Sequence, residues 1–122
     1  MIFKKYIRSF AFAIAGMSYA FRSQFNMRFH FFSAVIVISA SYFFHITLME
    51  WCVVMLCIGS VISAELINTS LELSVDLSTP VYNEKAGHAK DIAAAAVLVV
   101  SIMSTIIGAI IFAPRIIHLF VK

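Results

Sequence analysis

Residues 29–49 and 92–114 contain no Asp, Glu, Lys or Arg. Each stretch reaches the roughly 20 residues that a helix needs to cross a bilayer. Between them the apolar pattern resumes at Trp51 and runs to Ala64, is interrupted by Glu65, and ends with Glu72 and Asp76. The pattern predicts three membrane spans over about 28–47, 49–76 and 90–114. Ahead of them, residues 4–23 mix Lys4, Lys5, Arg8, Ser18 and Arg22 with aromatic and aliphatic side chains, as in a helix lying on a membrane. Lys4, Lys5 and Arg8 before residues 10–15, with Ala13-Ile14-Ala15, also imitate a secretory signal. The short apolar run and the polar Gln24, Asn26 and Arg28 beyond it favour the surface helix. The expected fold is all-α and integral to the membrane, a single domain over residues 1–122 with an amphipathic surface helix and three transmembrane helices.

Composition strengthens this picture. The 122 residues are 62% hydrophobic and 12% charged, against about 25% charged in soluble domains. Lys4, Lys5, Arg8, Arg22 and Arg28 precede the first span, whereas residues 45–50 carry no Lys or Arg. The positive-inside rule therefore predicts a cytoplasmic N-terminus and a multi-pass protein of the cytoplasmic membrane. The connection over 77–89, with Lys85 and then Lys90, is expected on the same side, and Arg115 and Lys122 on the other. Pro80 disfavours a helical Thr79 and, with Gly87, brackets this polar connection. Cys52 and Cys57 lie about 140° apart around a helix, cannot easily pair with each other, and are expected as membrane-buried thiols. The four glycines are too scattered for a Walker or dinucleotide loop.

Candidate chemistry concentrates on one helix. Glu65, Asn68, Glu72 and Asp76 are spaced three, four and four residues apart and fall within roughly 80° of one face. Counted from Glu50 and Trp51 as an outer anchor, Glu65 lies about 22 Å inward, Glu72 about 33 Å and Asp76 about 39 Å. In a hydrocarbon core about 30 Å thick, this row climbs out through the inner boundary. One carboxylate is then placed for a lipid hydroxyl, and two for water, metal and nucleotide. A carboxylate within the hydrocarbon costs a few kcal/mol and marks function or tight pairing. An assembly contact and a proton or ion pathway are the competing readings. Lys90 and Asp91, at the mouth of the last span, complete a mixed-charge cluster suited to phosphoryl transfer.

The segments Glu65-Leu-Ile-Asn68-Thr-Ser-Leu-Glu72-Leu-Ser-Val-Asp76 and Gly87-His-Ala-Lys90-Asp91, the latter followed by a run of alanines, resemble the signature of the prokaryotic diacylglycerol kinases. That family includes undecaprenol kinases, and the similarity runs from around Gly16 to the final span. The resemblance implies a homotrimer with shared active sites that phosphorylates a membrane lipid alcohol with ATP and Mg²⁺ at the inner membrane. It assigns Glu65 as general base and Glu72 as a ligand of the nucleotide's Mg²⁺. Asn68 and Asp76 would organise nucleotide and metal, and Lys90 and Asp91 would bind the phosphates and the rest of the nucleotide. One departure stands out: the family pattern Glu-x-Asn-x-Arg-x-His begins here with Gln24, before Asn26, Arg28 and His30. A neutral amide at this nucleotide- and metal-binding position is expected to weaken magnesium binding: either Glu72 and the phosphates suffice, or the chain is a degenerate kinase that binds lipid or nucleotide without turnover. The Asn26-x-Arg28-x-His30 pattern leans toward undecaprenol over diacylglycerol, although Arg28 also suits an interfacial anchor and His30 a helix–helix hydrogen bond. No nucleic-acid partner is expected. The rival from another class is a non-enzymatic channel or accessory subunit.

Overall fold

Local capping and turn chemistry divide the chain into four helices, seen in a computed structural model that describes residues 1–121: α1 (Ile2–Ser23), α2 (Phe25–Phe43), α3 (Leu48–Ser78) and α4 (Glu84–Phe120). Among the described residues there is no strand. Lys122, expected on the outer side with Arg115, lies outside them. The single extended residue Gln24 (φ −108°, ψ 123°) separates α1 from α2. Arg28 locks this corner by donating from Nη1 to the carbonyls of Phe21 (3.1 Å) and Arg22 (2.9 Å). A cation thus satisfies carbonyls left open at the end of α1 and meets the negative end of its dipole.

The next turn ends at Thr47, which begins α3 with a capping box. Its hydroxyl accepts from the Glu50 backbone N–H, and the Glu50 carboxylate accepts from the Thr47 N–H. His45 takes the left-handed conformation (φ 49°) that the tight reversal requires. α3 stops at Ser78, just ahead of Thr79-Pro80. Asn83 starts α4 by accepting from the N–H groups of Lys85 and Ala86. Pro114 does not end α4, which continues to Phe120. The ring removes one helical hydrogen bond, and the flanking turns carry the helix across.

α3 and α4 pack side by side along their length, α2 lies against α3, and α1 touches both α2 and α3. The long pair is antiparallel and is tied at each end by an ion pair. At one end Arg115 grips Glu50 with both arms of its guanidinium, at 3.0 and 2.8 Å. At the other, Lys90 pairs with Asp76. Beside the first latch, Ile46, Val54 and Ile111 form a small apolar core.

Most of the apolar surface remains outside this core. α3 and α4 are each long and apolar enough to cross a membrane, and only 11% of the most apolar stretch of α4 is buried. Ile92, Leu98, Ile102, Ile106 and Ile110 all point outward. Such a surface suits hydrocarbon rather than water. α2 is also apolar after its first turns, but Asn26, Arg28 and His30 shorten its uninterrupted stretch.

Candidate functional site

The row on α3 begins in the interior. Glu65 is 1% exposed and its Oε2 has no hydrogen-bond partner. Asn68, one turn on, is also buried, with Oδ1 unpartnered. An orphaned carboxylate oxygen in an apolar helix packing is costly, and the pair makes this the candidate site's buried end. Glu65's backbone carbonyl is engaged separately by the Thr69 hydroxyl at 2.9 Å.

Toward the α1–α2 corner the row becomes wetter. Glu72 is half-buried and accepts from two amides, Asn68 Nδ2 at 3.4 Å and Gln24 Nε2 at 3.5 Å. The corner at Gln24 thus brings a residue 48 positions away onto the same carboxylate. One turn beyond, Asp76 is exposed and holds Lys90 from the start of α4. Asp91 is exposed and forms no ion pair or side-chain hydrogen bond among the described residues, so its carboxylate is open to solvent. The structure therefore gathers Gln24, Asn68 and Glu72 into one contact and Asp76 with Lys90 into a second, and leaves Asp91 at the rim. Glu65 forms the buried end.

On the other side of Glu65, a cavity of about 430 Å³ opens between α2, α3 and α4. Val61 and Ile62, one turn before Glu65, line it with His30, Ser33, Ser101 and Phe112. The apolar groove thus ends one turn short of the buried carboxylate on α3, and the charged cluster begins further along the same helix. Sequence reasoning missed the groove-facing hydroxyls, because isolated serines inside apolar runs carry no pattern of their own. It also missed the Glu50–Arg115 clamp, whose signal was a basic residue that departs from the positive-inside rule.

The model of the prokaryotic diacylglycerol kinase family matches residues 11–112, which include Gln24, the α3 row, Lys90 and Asp91. The chain belongs to that family. It is similar to the undecaprenol kinase of Bacillus subtilis (strain 168), with 37% identity over 111 residues, 91% of this chain and 90% of the relative. It is also similar to the diacylglycerol kinase of Synechocystis sp., with 42% identity over 114 residues. Those residues make up 93% of this chain and 65% of the longer relative. Membership of this kinase family and the exposed apolar helices make the chain a membrane-bound lipid kinase.

Proposed function

We propose that this chain transfers the γ-phosphate of ATP to a membrane lipid alcohol, undecaprenol or diacylglycerol, at the cytoplasmic face of the bacterial inner membrane. The observation that carries this reading is the buried Glu65 carboxylate, unpartnered and set between an apolar groove and a charged cluster. In the proposed topology α1 lies on the cytoplasmic surface and α2, α3 and α4 cross the bilayer. The N-terminus is cytoplasmic, as the basic residues before α2 favour. The Glu50–Arg115 clamp then lies on the outer side, where the carboxylate neutralises one of the two basic residues that depart from the rule.

The acceptor alcohol enters the groove laterally and presents its hydroxyl to Glu65, which takes the proton as the oxygen attacks the γ-phosphorus and ADP leaves. Catalysis comes chiefly from positioning and charge neutralisation. Lys90 exchanges Asp76 for phosphate oxygens, and Asp91 and Asp76 hold the rest of the nucleotide. The oxygen donors fit a hard divalent cation: Glu72 supplies a carboxylate, and the buried Oδ1 of Asn68 is an unpartnered amide oxygen beside it. Among the described residues no three His, Cys, Asp or Glu side chains converge, so phosphate and water oxygens must complete the shell. When bound, Mg²⁺ supplies positive charge against the phosphates. Gln24 binds this assembly through the Glu72 carboxylate and adds no charge.

Purified protein in lipid, given labelled ATP and a panel of diacylglycerol, undecaprenol and a sphingoid base, tests the reading directly. Phosphorylated lipid is expected, and Glu65→Gln should abolish its formation while ATP binding persists. Lys90→Ala should lose ATP binding. Unchanged nucleotide binding together with an ion flux would transfer the protein to the channel class.

A further inference from the structure

Hydroxyls on these helices have a ready partner in the carbonyl one turn back. Ser33, Ser41, Thr69 and Thr105 donate to Phe29, Val37, Glu65 and Ser101 at 2.8–2.9 Å. Ser101 does not. Its Oγ is buried and makes no hydrogen bond, although the Val97 carbonyl is available in the same helix. An unsatisfied hydroxyl in apolar surroundings carries a desolvation cost, and this one lines the groove.

The two latches place it. Glu65 lies fifteen residues past Glu50, and Ser101 fourteen before Arg115; toward the other end each is eleven residues from its latch, Asp76 or Lys90. On antiparallel neighbours this puts Ser101 and Glu65 at the same depth, about 16 Å along the helices from the Asp76–Lys90 latch. Two of the three buried, unpartnered side-chain polar atoms among the described residues thus share one level across the α3–α4 pair.

We propose that Ser101 is a second acceptor-binding residue: its hydroxyl donates to the oxygen of the lipid alcohol and turns the alcohol's proton toward Glu65. This assignment rests on the lipid kinase reading above. In the transfer, the acceptor O–H bond breaks and its proton passes to Glu65. The oxygen bonds to the γ-phosphorus, and the bond to the β-phosphate oxygen breaks with departure of ADP. Ser101 keeps its own proton and fixes one lone pair of the acceptor, leaving the other for phosphorus. Because the contact is to the alcohol oxygen itself, it serves any lipid alcohol the groove admits.

The test compares wild type, Ser101→Ala and Ser101→Thr with dioctanoylglycerol, undecaprenol and ATP as varied substrates. Ser101→Ala should raise KM for the lipid alcohol roughly three- to tenfold, the effect of one net hydrogen bond, without moving KM for ATP. Ser101→Thr, which keeps the hydroxyl, should restore it. If Ser101→Ala does not assemble, Ser101→Cys, a weak donor of similar shape, should show the same shift. An unchanged lipid KM, or equal changes for lipid and ATP, overturns the assignment. If Glu65→Gln is inactive in the same experiment, the kinase reading survives that loss. If the wild type phosphorylates neither lipid, the kinase reading falls. Retention of radiolabelled dioctanoylglycerol then decides about Ser101, and equal retention by wild type and Ser101→Ala overturns its role.

Discussion

Glu72 is held by two amide N–H groups, from Gln24 and Asn68, and this fixes what a charge at position 24 would do. Gln24→Glu replaces a donor with a second carboxylate about as close to Glu72 as the present hydrogen bond. Like charges at that spacing repel, unless a cation lies between them. The variant should therefore melt at a lower temperature than wild type in chelator and regain stability as Mg²⁺ is added. It should also reach half-maximal activity at a lower Mg²⁺ concentration. Thermal melts and activity across a Mg²⁺ titration check both, and a variant indifferent to Mg²⁺ would exclude Gln24 from the metal's surroundings. The sequence already singled out this position, because the amide replaced an expected acid. It did not reveal that Gln24 would donate to Glu72, since that contact depends on the angle of the α1–α2 corner.

Among the elements, the α3–α4 pair carries the site, and its register is set by ion pairs at both ends. The Glu50–Arg115 clamp is far from the chemistry, so Glu50→Ala and Arg115→Ala should lower the melting temperature in detergent and leave KM for ATP unaltered. Each single variant strands a half-buried charge, so the double variant should melt no lower than the worse single one. Additive losses would show that the two residues act independently. The acidic row on α3 was legible because helical spacing alone puts Glu65, Asn68, Glu72 and Asp76 on one face. The Glu50–Arg115 clamp was not, because pairing partners 65 residues apart emerge only when antiparallel packing is known. Pro114 adds a second point that only the packed structure shows. A proline usually limits a helix, but here α4 passes through it and delivers Arg115 to Glu50.

For the whole molecule, a single chain leaves most of α4 uncovered, and lipid or further copies must meet that surface. We expect three copies in a lipid or mild-detergent environment, with sites completed across their contacts. Native mass spectrometry should give a mass of three chains. Mixing inactive Glu65→Gln chains with inactive Lys90→Ala chains should restore some turnover if sites are shared. A fully active single chain would remove the shared site.

The corner at Gln24 gives the molecule an outrigger. α1 ends and α2 begins at the same residue whose amide holds Glu72, and Arg28 braces the joint by gripping the last carbonyls of α1. A tilt of α1 therefore cannot be absorbed in a slack linker. On the proposed topology, whatever lifts or presses that float on the bilayer is transmitted to the phosphate-handling end, so mooring and readiness to react are mechanically one event.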